Sequence, residues 1–360
     1  MKICLSGYYG FDNAGDEALL SAITSTIRQL NPAVHFVVFS GYPGKTAKLH
    51  GLTAVNRINP WSVMRELSTC DLLISGGGSL FQDVTGPFSL PYYIGIVALA
   101  KLFRKPVIFY AQGIGPINRW WSKVLMRLIA NHADIITLRD HDSLKVLGQL
   151  GITRPPVRIT ADPVFSLEPD QEDLKKMEQV LYSYVPGCEK IVGVSVRKWS
   201  PLSGYESKLA SVLDRLADME YKIVFIPLDY PDDLEESRKI MAWMQRESIL
   251  LDIPLKSKEH VAIISQMSLV VGMRLHSLIF AASRQVPFIG ISYDPKIDSF
   301  LKMFGLSPLS GSPEEMLSQI MAVLEDDTGK KTRQQRAREL REKAIENAHM
   351  ALSLTKAREN

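Results

Sequence analysis

Cysteine is scarce in this chain of 360 residues, long apolar runs are missing, and neither sign of charge prevails. The three cysteines, Cys4, Cys70 and Cys188, lie far apart and form no CxxC pair and no cluster with histidine. That argues against a disulfide scaffold and a zinc site, and no metal or cofactor is expected. Cys4 and Cys70 sit in or beside apolar runs and read as small core residues. The longest apolar stretch, Leu90 to Ala100, stops at Lys101, too short to span a bilayer. Met1-Lys2 leads directly into a short apolar strand and Gly7, which is not a signal-peptide pattern, so a cytoplasmic location is expected. Basic residues number 42 against 39 acidic, a net charge of +3. A dedicated nucleic-acid binder carries a larger surplus, and no nucleic-acid partner is expected. A composition of 46% apolar and 22% charged residues, with 23 Gly and 20 Pro, excludes disordered and collagenous classes.

What is present is an alternation. Short β-branched runs, Lys2–Ser6, Val34–Phe39, Asp71–Ser75, Val107–Tyr110 and Ile135–Leu138, are separated by amphipathic stretches such as Asp16–Leu30 and Arg119–His132. A second series follows with Ile191–Val196, Lys222–Ile226, Leu269–Val271 and Phe288–Ile291, with Ser207–Met219 among its helical stretches. Buried parallel strands joined by crossover helices produce such a pattern, so the fold class is α/β, doubly wound. The length suits two domains. The boundary is expected near Pro163–Asp170, which gives residues 1–165, 166–326 and a charged C-terminal helix over 327–360. Two such halves place a ligand between them, beyond the carboxyl ends of the strands. The last helix has no strand after it and could pack back across the first half.

Two common nucleotide motifs fail. Gly44-Lys45-Thr46 resembles the end of a P-loop, but Phe39 stands where the loop needs its first glycine. Gly76-Gly77-Gly78 and Gly113-Ile114-Gly115 both lack the third glycine of G-x-G-x-x-G. Both glycine runs nevertheless directly follow strand candidates. Glycine there serves a plain tight turn, or lets backbone N–H groups approach an anion or a sugar. Two such loops at the same end of one sheet favour the second use.

The more specific signal is a set of cations just past strand ends: Arg139, Arg197, Arg274 with His276, and Lys296. Open α/β sheets hold ligands at that end. Arginine grips carboxylate and phosphate with two prongs and lysine supplies a point charge, so the set suits a small polyanion. The bland alternative is a surface cation paired with a neighbouring acid, as Arg139 with Asp140, and a capping or core role for His276. The first loop instead carries acids and amides. Asp16 would cap the following helix, leaving Asp12, Asn13 and Glu17 to hydrogen-bond sugar hydroxyls. Gln82 and Asp83, after Gly77 and Gly78, offer the same chemistry. An acceptor sugar would then sit on the first half, with the anion nearer the second.

At these residues the sequence resembles the polysaccharide pyruvyl transferase family, most closely its CsaB type from Gram-positive bacteria. The similarity rests on an ordered set: Gly10-Phe11-Asp12-Asn13-Ala14-Gly15-Asp16-Glu17, Gly76-Gly77-Gly78-Ser79-Leu80-Phe81-Gln82-Asp83, Gly113-Ile114-Gly115-Pro116, Leu138-Arg139-Asp140, Asp162-Pro163-Val164-Phe165, Gly272-Met273-Arg274-Leu275-His276 and Tyr293-Asp294-Pro295-Lys296. The resemblance implies two Rossmann-like domains in a GT-B-like arrangement. It implies phosphoenolpyruvate as donor and a ketal across two sugar hydroxyls as product. The acceptor it implies is a lipid-linked oligosaccharide precursor of a secondary cell wall polymer, pyruvylated on N-acetylmannosamine, whose ketal anchors S-layer homology domains. By motif, the family's donor-site Arg, His and Lys fall on Arg139, His276 and Lys296.

Such an acceptor places the enzyme at the inner membrane face, and Arg119-Trp120-Trp121 with Lys123 and Arg127 suits peripheral contact there. Two other readings compete. One is a GT-B glycosyltransferase using a nucleotide sugar. The other is a non-catalytic binder of membrane or RNA surfaces through Lys330, Lys331, Arg333, Arg336, Arg338, Arg341 and Lys343, although Glu339 and Glu342 interrupt that run.

Overall fold

The computed structural model describes residues 1–84, 86–199 and 204–356. The chain divides into two compact units, one of Met1–Leu167 with the chain from Leu340 onward, the other of Glu168–Glu339. Unit one alternates β1 (Lys2–Tyr9), α1 (Ala14–Leu30), β2 (His35–Ser40), α2 (Pro43–His50), β3 (Thr53–Asn56), α3 (Pro60–Thr69), β4 (Leu72–Gly76), α4 (Ser89–Leu102), β5 (Val107–Gln112), α5 (Trp120–Ala130), β6 (Ile135–Leu138), α6 (His141–Gln149) and β7 (Val157–Ile159). Unit two continues with α7 (Gln171–Tyr184), β8 (Ile191–Ser195), α8 (Tyr205–Asp218), β9 (Lys222–Phe225), α9 (Asp232–Trp243), β10 (Ser248–Leu250), α10 (Ser257–Ile264), β11 (Leu269–Gly272), α11 (Leu275–Ser283), β12 (Phe288–Gly290), α12 (Pro295–Met303) and α13 (Pro313–Glu325). A long helix, α14 (Asp327–Lys356), belongs to unit two at its start and to unit one from Leu340.

Both sheets are parallel throughout, in the orders β3-β2-β1-β4-β5-β6-β7 and β10-β9-β8-β11-β12. The expected α/β, doubly wound class is what forms. Central strands read as unbroken apolar runs because both faces are covered. In β1, Ile3 and Leu5 enter one apolar cluster with α1 while Cys4 enters the other, with α3, α4 and α5. Cys4 and Cys70 are fully buried and unbridged. Unit two has its own core, built on Val192, Val194, Phe225 and Val271 with the apolar faces of α8 and α13.

The strand order reverses direction between β1 and β4 in the first sheet, and between β8 and β11 in the second. Doubly wound sheets bind ligands beyond the carboxyl ends of the strands flanking such a switch. Those loops hold residues 10–13 and 77–83 in unit one, and Arg197 and Arg274 in unit two, with His276 in the helical turn that follows.

The C-terminal helix begins where the sequence pattern put it. Its last four expected residues, 357–360, lie outside the described residues. It is shared between the units and is not a segment of its own. Ala344, Ala348 and Ala351 recur every three or four residues and are fully buried, and the latter two join the α1 face of the unit-one core. Asn347, also buried, accepts from the Thr160 hydroxyl at 2.8 Å and donates to the Ala161 carbonyl at 3.3 Å. Residues 160–161 are thereby held immediately ahead of Asp162.

Candidate functional site

In unit one the site is built around a buried arginine. β6 delivers Arg139 past its last residue, and Asp140 then caps α6 through the Ser143 N–H at 2.7 Å. The Arg139 side chain is only 9% exposed. One guanidinium nitrogen donates to Asp162 Oδ2 at 2.8 Å and the other to Ser79 Oγ at 3.0 Å, while Nε lies 3.9 Å from Asp140. Gly113 is glycine because the guanidinium crosses it: a Cβ there would stand 2.7 Å from Ser79 Oγ and 3.0 Å from Arg139 Nε. Asp162 uses its second oxygen to cap the short 3-10 turn Pro163–Ser166, accepting from the Val164 N–H at 3.1 Å. Four separated motifs, GGGS, GIG, LRD and ADP, therefore meet at one side chain.

The glycine loops are laced together by their backbones, Gly113 N–H to Gly78 O at 2.8 Å and Gly115 N–H to Phe81 O at 2.8 Å. Gly77 and Gly78 take φ values of +70° and +75°, which favour glycine. Beneath this loop the Ser6 and Ser75 hydroxyls and Gln112 Oε1 are buried without a hydrogen-bond partner among the described residues.

The first loop is organised differently from expectation. Asn13, not Asp16, caps α1, accepting from the Gly15 and Asp16 N–H groups at 3.1 and 3.2 Å. Asp16 lies over the glycine loop, its Oδ1 3.3 Å from where a Gly78 Cβ would be. Glu17 is buried, accepts from the Gly10 N–H at 2.7 Å and meets His50 Nε2 at 2.6 Å. Asp83 is buried too and receives the Asn118 and Arg119 N–H groups, both at 2.8 Å. Burial opposes ionisation of Asp83, but those donors hold its carboxyl below the ordinary value. The side chains of Asn13, Glu17 and Asp83 thus fix loop shape. Asp12, half exposed and paired with Lys45, and Gln82, half-buried, remain at the surface.

In unit two, Arg197 follows β8. Its Nη1 donates to the Tyr293 hydroxyl at 2.8 Å, and its guanidinium carbon lies 4.8 Å from the Tyr293 ring centre and 5.7 Å from that of Trp199. Its buried Nε has no hydrogen-bond partner among the described residues. Arg274 follows β11 and is held by two acids, Asp233 at 2.5 Å and Asp229 at 3.0 Å. Burial pushes the fully enclosed Asp233 carboxyl up against the pull of Arg274, while the arginine, itself buried, is held above its ordinary value by Asp233. The multiple short contacts are those of an ionised pair. Arg274, one of the strand-end cations expected to suit a small polyanion, is paired with two carboxylates and ties the β11 loop to α9. His276 lies in the first turn of α11, its ring centre 6.3 Å from that of Phe280. Lys296 lies in the first turn of α12, its N–H on Asp294, the cap. Both helices start at the ligand end of the sheet.

Sequence reasoning missed Arg57. It follows β3, a strand not recognised, so no strand-end cation was sought there. Its guanidinium carbon lies 4.1 Å from the Tyr92 ring centre, 5.1 Å from Tyr93 and 5.5 Å from Phe11, and Nη1 donates to the Tyr93 hydroxyl at 3.2 Å. Among the described residues no group of His, Cys, Asp and Glu could hold a metal, and no helix is long and apolar enough to cross a membrane. The basic run of α14 is broken by ion pairs, Arg333 with Asp326 and Arg336 with Glu339.

Two parallel, doubly wound units with loops gathered past their switch points make a GT-B-like fold. Solved structures agree on the fold. The UDP-GlcNAc 2-epimerase of Neisseria meningitidis, bound to UDP-GlcNAc, matches with TM-score 0.68 at 14% identity, over 99% of this chain and 100% of that one. The glycosyl transferase family 9 protein of Veillonella parvula matches with TM-score 0.50 at 15% identity, over 90% and 97%. The model of the family described as polysaccharide pyruvyl transferase matches residues 13–295, and the chain belongs to that family. It is also similar to the amylovoran biosynthesis protein AmsJ of Erwinia amylovora, 21% identical over 88% of this chain and 89% of that protein.

Proposed function

We propose that this family member is of the CsaB type: it transfers the pyruvyl group of phosphoenolpyruvate onto a sugar, N-acetylmannosamine, of a lipid-linked secondary cell wall precursor. The product is a ketal and phosphate is released. The observation that carries this reading is the family match over residues 13–295, which takes in Arg139 and His276 and ends one residue before Lys296.

The chemistry assigns three roles. His276 protonates the methylene carbon of the donor, C2 becomes electrophilic, and a sugar hydroxyl forms the first C–O bond. The C2–O bond to phosphate then breaks, Lys296 stabilises the departing phosphate, and the second hydroxyl closes the ketal. One hydroxyl proton replaces the one delivered to carbon, and the other leaves with phosphate. Arg139 grips an anionic end of the donor, with Asp162 and Ser79 fixing its plane. Arg197, cradled by rings, adds an undiminished positive charge. Arg274 acts behind it, through the β11 loop. On the acceptor side the backbones of Gly77 and Gly78 and the side chains of Asp12 and Gln82 face the sugar, while Asn13, Glu17 and Asp83 keep those loops in shape.

The test is incubation with phosphoenolpyruvate and lipid-linked disaccharides, read by mass gain of the acceptor and phosphate release. Nucleotide release from a nucleotide sugar, with no use of phosphoenolpyruvate, would replace this reading with a glycosyltransferase.

A further inference from the structure

Most arginines at the ligand end of unit one are already engaged by acids or carbonyls. Arg139 meets Asp162, and Arg119 donates to the Asp83 carbonyl. Arg57 is different. Among the described residues no carboxylate meets it, and its guanidinium lies against the rings of Tyr92, Tyr93 and Phe11, with a single side-chain hydrogen bond to the Tyr93 hydroxyl.

Its backbone is clamped from both sides. The Arg57 N–H donates to Ser40 O at 3.0 Å, and its carbonyl accepts from the Tyr92 hydroxyl at 3.1 Å. Aromatic faces fix the guanidinium plane and remove water from one side without neutralising it. Of its five N–H donors, the Tyr93 hydroxyl takes one among the described residues. Around it the surface is open and aromatic: Tyr42 is 63% exposed, and Tyr8, 44% exposed, stacks on Phe11 at 4.4 Å. Unit two holds Arg197 in the same manner, against Tyr293 and Trp199 with one tyrosine hydroxyl.

We propose that Arg57 forms an anion subsite on the acceptor side of the enzyme, taking a phosphate or carboxylate group carried next to the acceptor sugar. The inference rests on the pyruvyl transfer reading for the identity of the acceptor, but not for the binding itself. A fixed guanidinium matches the two oxygens of either group, and the exposed tyrosines beside it suit the apolar face of a sugar ring.

Binding is measured directly by calorimetry with three probes: a glycosyl phosphate, a glycosiduronate and a neutral methyl glycoside of the same sugar. Wild type should prefer at least one anionic probe to the neutral one by about tenfold to a hundredfold, and salt should weaken that preference. In Arg57→Gln the preference should collapse toward one. Tyr93→Phe, which keeps the ring and the charge, should retain most of it. Loss confined to the glycosyl phosphate identifies phosphate as the group, and loss confined to the uronate identifies carboxylate. A wild type without preference, or an Arg57→Gln enzyme that keeps it, overturns the proposal. So does equal loss for all three probes, which would make Arg57 a clamp between β3 and α4. Because the readout is binding, failure of pyruvyl transfer from phosphoenolpyruvate in a parallel assay would be recognised separately.

Discussion

Replacing Asp162 by Asn removes one charge and almost no volume. Asp162 Oδ2 is 2.8 Å from the Arg139 guanidinium, and the two side chains are 5% and 9% exposed. A hydrogen bond to a charged partner is worth about 1.5–3 kcal/mol at such sites. The cap on Val164 survives, because the amide oxygen can still accept. In a unit of this size each kcal/mol moves the midpoint by about 2–4 °C, so Asp162→Asn should lower the melting transition of unit one by roughly 3–12 °C. Arg139→Gln should do the same through the other partner. Combined, the two should cost less than their sum by about 1.5–3 kcal/mol, because either alone already breaks the pair. Scanning calorimetry of the four proteins measures this. The kinetic arm uses Arg139→Lys, which keeps charge but loses the fork to Ser79. It should reduce kcat/KM for phosphoenolpyruvate about tenfold to a hundredfold, with acceptor dependence nearly unchanged. Additive stability losses within about 0.5 kcal/mol would refute the pair as the organiser of the four loops, and wild-type donor kinetics in Arg139→Lys would remove Arg139 from the donor site.

His276→Gln should bind phosphoenolpyruvate within several-fold of wild type yet turn over at least about a hundred times more slowly, and its pH–rate profile should lose a limb; failure to bind donor with the limb intact would make His276 a ligand and not the acid. Asp83 is held below its ordinary value, so it stabilises the fold at pH values above the usual carboxylate range and loses that contribution as pH falls through its folded value. Asp83→Asn should therefore be less stable than wild type at pH 7, with the gap in denaturation midpoint closing toward pH 3; a gap independent of pH would contradict this. Trp61, Phe88 and Trp120, at 78%, 82% and 75% exposure, stand at the starts of α3, α4 and α5, where residues 57–131 carry eight Lys or Arg against three acids. Vesicles with anionic lipid should retain the protein at low salt and release the Trp61→Ser/Trp120→Ser double mutant, and equal retention of both would argue against surface anchoring through these side chains.

Much of this architecture is legible in the residues because central strands announce themselves. Ile191–Ser195 and Ile135–Leu138 are apolar on both faces, and their ends appear within a residue of the pattern. The strands that escape notice are β3, β7 and β10, all at sheet edges, three or four residues long and without a fully buried position. An edge strand has one neighbour and partial cover, so its composition is not distinctive. The omission of β3 hid Arg57. The capping assignment failed for a local reason: Asn13 and Asp16 are both good capping residues, and only the φ and ψ of Asn13, −83° and 110°, decide which one stands at the boundary.

The site itself was legible as positions but not as partnerships. Arg139, Arg197 and Arg274 all stand just past a strand, and residue type and place make them one set. Their partners lie 23 residues away for Arg139, 96 for Arg197 and 41 for Arg274, out of reach of local pattern. The partners sort them into two kinds. An arginine held by carboxylates, as Arg139 by Asp162 and Arg274 by Asp229 and Asp233, has its direction fixed and its field largely cancelled. An arginine held by ring faces, as Arg197 and Arg57, has its direction fixed and, among the described residues, no carboxylate paired with it. The first kind can position a ligand by hydrogen-bond geometry; the second can also draw an anion in from a distance. Among the described residues each unit carries both kinds at its ligand end, and the proposed pyruvyl transfer, which would bring an anionic donor to a sugar acceptor, needs both geometry and attraction.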